Sequence, residues 1–81
     1  MQSKEQILRW VMDTLKSEFK IRDDDLHPGA HLIDDLDLDS IDAVDLAVNV
    51  EQELGLSLTE GELKSLHTVQ DVVDVIHRRL E

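Results

Sequence analysis

Apolar residues return at helical spacing in separate stretches of this chain, and each stretch carries its own start or stop signal. Ile7, Leu8, Val11, Met12, Leu15 and Phe19 follow a period of about 3.6 residues, the spacing that lines one face of an α-helix. Ser3, with Gln6 three positions on, forms a capping box that starts this first helix. Trp10 lies off the stripe and is expected to be partly exposed. A second helix is predicted over Ser40–Leu54, with Gly55 as its C-terminal stop. Thr59 and Glu62 make another capping box for a short third helix, which Gly61 weakens from inside its first turn. The fourth is predicted from Thr68, with Asp71 in the first turn, where the helix dipole favours an acid. Its stripe is Val69, Val72, Val73, Ile76 and Leu80, and Arg78 and Arg79 suit its opposite pole. The pattern predicts an all-α, four-helix bundle in a single domain spanning 1–81.

Between the first two helices lies a connection over 20–39, long for so small a domain and therefore either anchored or mobile. His27-Pro28-Gly29 marks a turn in it. Leu26, Leu32, Ile33, Leu36 and Leu38 are the expected anchors into the core. The D-L-D-L-D alternation over 35–39 has strand periodicity, but it is short and has no second strand to pair with, so it is read as a loop entering the second helix.

Charge changes the picture more than composition does. The formal net charge is −11, and thirteen acids with no lysine or arginine lie between Asp23 and Leu63. Such a field repels nucleic-acid phosphates and anionic lipid heads and attracts basic protein surfaces. It reads as a docking face, against the plainer alternative of a solubilising surface. There is no cysteine, so the chain has no thiol chemistry of its own. No apolar run reaches membrane-spanning length and the N-terminus lacks the features of a signal peptide, so a monomeric cytoplasmic protein without membrane insertion is expected. The chain's end at Glu81 suggests a free-standing unit.

The segment DDLDLDSID, 34–42, places five aspartates around one serine. Nucleophilic catalysis would need a base held against Ser40 and a group to orient it, and the chain has no G-x-S-x-G elbow. No catalytic residue is assigned. A calcium loop counted from Asp35 fails at both diagnostic positions, with Ser40 in place of the turn glycine and Leu46 in place of the bidentate glutamate. His27 and His31 have metal-like spacing but no cysteine to complete a site, so no metal is assigned. Two readings remain. Asp39 or Ser40 caps the second helix, or Ser40 carries an attached anionic group at a helix N-terminus, where free N–H groups and the dipole favour it.

The segment D-S-I-D at 39–42 resembles the phosphopantetheine attachment site of acyl carrier proteins, whose commoner form is D-S-L. The resemblance continues through Leu32-Ile33-Asp34-Asp35-Leu36, Val44-Asp45-Leu46, Glu51-Gln52-Glu53-Leu54-Gly55-Leu56 and Thr68-Val69-Gln70-Asp71-Val72-Val73-Asp74, and covers about 5–78. It implies the acyl-carrier-protein-like four-helix bundle, with 4′-phosphopantetheine attached covalently to Ser40 by a phosphopantetheinyl transferase. The arm's thiol then carries acyl groups as thioesters. Ketosynthase-, dehydratase-, reductase- or acyltransferase-type enzymes of a fatty-acid, polyketide or polyene-type pathway are the implied partners. Carried over by residue, Asp39, Asp45, Glu51 and Asp42 match the family's partner-facing acids, and Leu58 and Leu63 its apolar contacts around the third helix. Gln52 stands where the family commonly has an acid.

The helix wheel adds to this on its own terms. At about 100° per residue, Leu46, Val50, Ala43, Leu54 and Ala47 cluster on one side of the second helix and are expected in the core. Ile41, Val44 and Val48 cluster on another, flanked by Asp45 and Glu51. That second cluster suits transient docking on basic-rimmed enzymes, or else the valines pack against the third helix or the long connection. Peptidyl carriers tend to show G-G-x-S before this helix, unlike the sequence here. An aminoacyl or peptidyl carrier, and an unmodified acidic scaffold or regulatory protein, stay as the alternatives.

Overall fold

The computed structural model describes residues 3–80; Met1, Gln2 and Glu81, and with them the readings of the two chain ends, lie outside. Among the described residues the chain forms four α-helices: α1 (Lys4–Phe19), α2 (Ser40–Leu54), α3 (Glu60–Lys64) and α4 (Val69–Leu80). A single 3-10 turn, Asp23–Asp25, interrupts the connection between α1 and α2. The capping boxes at Ser3/Gln6 and Thr59/Glu62 form as expected, and Gly55 ends α2 in the left-handed conformation. Thr68 caps α4 and exchanges hydrogen bonds with Asp71, so the helix proper begins one residue later.

The core is drawn from every part of the chain. Ile7, Val11 and Leu15 of α1 meet Val69, Val72, Val73 and Ile76 of α4, with Leu46 and Val50 of α2 closing the third side. Leu8, Trp10, Met12 and Phe19 pack half-buried around it. Val75, outside the expected stripe, is also buried, because the wide apolar arc of α4 is covered on more than one side.

The long connection is anchored. Pro28 and Ala30 accept hydrogen bonds from the N–H groups of Gln70 and Val69 (2.9 and 3.0 Å), and Leu32 N–H donates to the His67 carbonyl (2.8 Å). His31 and Thr68 thereby make an isolated antiparallel bridge. Lys16 pairs with Asp23 at 2.8 Å, which fixes the 3-10 turn to α1 and holds the Lys16 pKa above its ordinary value, chiefly through that hydrogen bond. Ala30, Leu32, Leu36 and Leu38 are buried and Leu26 is half-buried, but Ile33, expected in the core, is 55% exposed. The physical reason is a helix-like turn over 31–37. Its bonds run from Asp35 N–H to His31 and from Asp37 N–H to Ile33, which puts Leu32 and Leu36 on one side and turns Ile33 outward.

Among the described residues, two other than glycine adopt positive φ: Lys20, at the C-cap of α1, and Asp37. A left-handed residue with a Cβ carries a steric cost of about 1–2 kcal/mol, which glycine avoids at some cost in chain entropy. Lys20→Gly is therefore expected to raise stability by about 0.5–1 kcal/mol, read as a higher urea midpoint at unchanged slope.

Acid should loosen two ties to α4. Asp74 accepts from Gln70 (2.9 Å) and pairs with Lys4 (3.2 Å), and these, Gln70 foremost, hold its pKa below the ordinary value. Glu62 is lowered mainly by the Thr59 N–H, with Arg79 adding to it. A carboxyl whose folded pKa lies below its unfolded value stabilises the fold above the unfolded pKa and loses that contribution as pH falls through the folded pKa. The stability difference between the wild type and Glu62→Gln or Asp74→Asn should shrink as pH is taken from 6 down through the carboxylate range. A difference constant with pH would remove the charge from the account.

Candidate functional site

Ser40 is the first residue of α2, and the residue before it does the capping. Asp39 Oδ1 accepts the Asp42 N–H (2.9 Å), and Asp42 Oδ2 accepts the Asp39 N–H (3.1 Å). This reciprocal box satisfies the helix start without Ser40. The Ser40 side chain is exposed, and its hydroxyl bonds to no described residue. The capping reading thus belongs to Asp39, and the serine hydroxyl stays available at the positive pole of a 15-residue helix.

Behind Ser40 lies a cavity of about 290 Å³. Its walls come from three places: Leu32, Ile33 and Leu38 in the connection; Ala43, Val44 and Leu46 in α2; and Leu63 and Leu66 in and just after α3. Asp39, Glu60, Lys64 and His67 add polar groups to the lining. Four of these placements were not anticipated. Ile33 and Ala43 were expected in the core and line the cavity instead, Ala43 being half-buried. Lys64 and His67 carried no signal in the linear pattern.

His31 shapes the approach. Its Nδ1 accepts the backbone N–H groups of Ile33 (3.3 Å) and Asp34 (3.1 Å), and the His31 backbone N–H donates to Asp35 Oδ2 (2.7 Å). Its ring stacks on His67 with centroids 6.2 Å apart. The Nδ1 of His31 is thus taken up by backbone N–H groups, and among the described residues no group of three or more metal-ligating side chains forms.

The residues expected to face partners fall largely on one surface. Ile41, Val44 and Val48 are 70%, 51% and 44% exposed. Asp45 and Glu51 are exposed beside them, while Asp42 is half-buried and committed to the cap. The two readings of the valines divide: Val44 also lines the cavity, whereas Val48 borders a shallow depression with Phe19, Asp45 and Asn49. Leu58 and Leu63 are half-buried against the core, and of the two only Leu63 reaches the cavity. No helix among the described residues is long and apolar enough to cross a membrane.

Comparison with known proteins gives this geometry a family. The family model for the phosphopantetheine attachment site matches residues 9–76. An acyl carrier protein of Coprothermobacter proteolyticus is 36% identical over 77 residues, covering 95% of this chain and 94% of that protein. One of Myxococcus xanthus is 38% identical over 76 residues (94% and 96%). Acyl carrier protein 2 of Ralstonia nicotianae is 39% identical over 75 residues (93% of each). The chain belongs to the acyl carrier protein family, whose members are not enzymes but carriers with a covalently attached 4′-phosphopantetheine.

Proposed function

We infer that Ser40 is the attachment residue and that the protein shelters and presents acyl thioesters. The observation that carries this reading is an exposed serine hydroxyl, bonded to no described residue, at a helix N-terminus and on the rim of a largely apolar cavity. The residues fit the group. Asp39 and Asp42 spend their carboxylates on each other's N–H groups, so the hydroxyl is free to enter a transferase, and the helix pole favours a phosphodiester there. When attached, phosphopantetheine supplies a flexible arm whose thiol holds an acyl group as a thioester.

The cavity supports an acyl cargo over an aminoacyl or peptidyl one. Each methylene that Leu38, Val44, Leu46 and Leu63 remove from water is worth about 0.8 kcal/mol, and a charged amine gains no such contribution from those side chains. About 290 Å³ holds roughly ten groups the size of a water molecule. The outer face of α2, with Ile41 and Val48 between Asp45 and Glu51, then meets the transferase and the ketosynthase-, dehydratase-, reductase- or acyltransferase-type enzymes of a fatty-acid, polyketide or polyene pathway. The acids set encounter rate and orientation, and the small apolar patch holds a short-lived complex. A cytoplasmic carrier acting as one domain and one monomer fits this role. The test is intact mass after incubation with coenzyme A and a broad-specificity phosphopantetheinyl transferase. A folded chain that gains no mass beside an active transferase would leave the acidic scaffold as the reading.

A further inference from the structure

The cavity wall least secured by packing is α3. It is five residues long, has Gly61 inside it, and buries none of its own side chains completely. A helix so short does not hold itself together in water. Its internal ion pair, Lys64 with Glu60 at 3.4 Å, is exposed and ties α3 to nothing else. One polar contact does tie it down. Arg79 Nη1, near the end of α4, donates to Glu62 Oε1 at 2.6 Å, across seventeen residues of chain. The same oxygen accepts the Thr59 N–H at 2.8 Å, so a single carboxylate both starts α3 and fastens it to α4. The two side chains are only 34% and 16% exposed, whereas in the other ion pairs among the described residues at least one partner is more than half exposed.

We propose that Arg79 is a positioning residue: bonded to Glu62, it holds the α3 wall of the Ser40 cavity in place and so sets which acyl chains the cavity shelters. This rests on the carrier reading of Ser40. With the bond made, Leu63 stays in the wall opposite Val44 and the space remains near 290 Å³, suited to chains of roughly ten carbons or fewer. With the bond broken, α3 is left with the half-buried Leu63 and its two flanks, and the wall opens.

Two readouts test this. In the unloaded protein, amide exchange at Leu63, Ser65 and Leu66 is expected to rise about fivefold in Arg79→Gln, the size expected of a partly exposed ion pair. The buried amides of α1 should not change, and Arg79→Lys should recover part of the loss. Glu62→Gln, which keeps the cap but not the charge, should behave as Arg79→Gln does. Unchanged exchange in α3, or an equal rise in every helix, overturns the proposal, the second because it would mark Arg79 as a general stabiliser. In protein loaded from octanoyl- or acetyl-coenzyme A, hydroxylamine should cleave the octanoyl thioester more slowly than the acetyl one. Arg79→Gln should bring the two rates together, and an unaltered ratio overturns the chain-length role. Failure to load is seen separately as a missing mass gain. It would overturn the carrier reading and the chain-length role with it, while exchange would still decide whether Arg79 holds α3.

Discussion

Ser40→Ala is expected to abolish attachment outright while leaving the fold almost untouched. The wild type should gain the mass of one phosphopantetheine, and the variant none. Serines at helix starts usually cap, and removing a cap costs about 0.5–2 kcal/mol. Here Asp39 holds that position, its carboxylate on the Asp42 N–H, and the Ser40 hydroxyl bonds to no described residue. Alanine is also the better helix former. The urea midpoint of Ser40→Ala should therefore match the wild type to within about 0.5 kcal/mol, whereas Asp39→Ala should lose about 0.5–2 kcal/mol. This pair separates chemistry from stability at neighbouring positions. A mass gain persisting in Ser40→Ala would move the attachment to another side chain. A large loss of stability in Ser40→Ala would mean that the hydroxyl has a structural role.

The features that local chemistry decides were legible in the sequence. Ser3/Gln6 and Thr59/Glu62 satisfy their own helix starts within four residues, and Gly55 ends α2 because that conformation suits a residue without a side chain. The split of α2 into a core side (Leu46, Val50) and an exposed side (Ile41, Val44, Val48) followed from helix geometry alone. The connection was different. Its shape depends on bonds from Pro28, Ala30 and Leu32 to the residues around the start of α4, some forty positions away in the chain. No local pattern predicts that register, so Ile33 was placed with its apolar neighbours and in fact turns out. The cavity was hidden for the same reason. Ser40, Leu38, Leu63 and His67 share it only because three elements converge there. Ala43 looked like core on the wheel because a wheel reports which side a residue faces and not whether a neighbour fills the space. The Arg79–Glu62 bond had only a weak signal, an arginine suited to the helix dipole and a glutamate suited to a cap, with nothing to join them.

Reversing charge at Asp45 and Glu51 together is expected to slow loading and acyl transfer by about tenfold at low salt, with the gap closing as salt rises. Both side chains are exposed, and neither carboxylate bonds to a described residue: Asn49 donates to the Asp45 backbone carbonyl, not to its side chain. The fold has no stake in them, so a slower rate reports on the encounter. Screening gives the effect its signature. The Debye length falls from about 30 Å at 0.01 M to about 10 Å at 0.1 M, so a steering field fades over that range while a contact energy does not. Ile41→Ala is the counterpart, since it removes apolar contact and leaves the charges alone. Its loss should appear mainly as faster dissociation and should change little with salt. If the Asp45/Glu51 variant kept its wild-type rate at every ionic strength, the thirteen acids between Asp23 and Leu63 would serve solubility, and recognition would rest on Ile41, Val44 and Val48 alone.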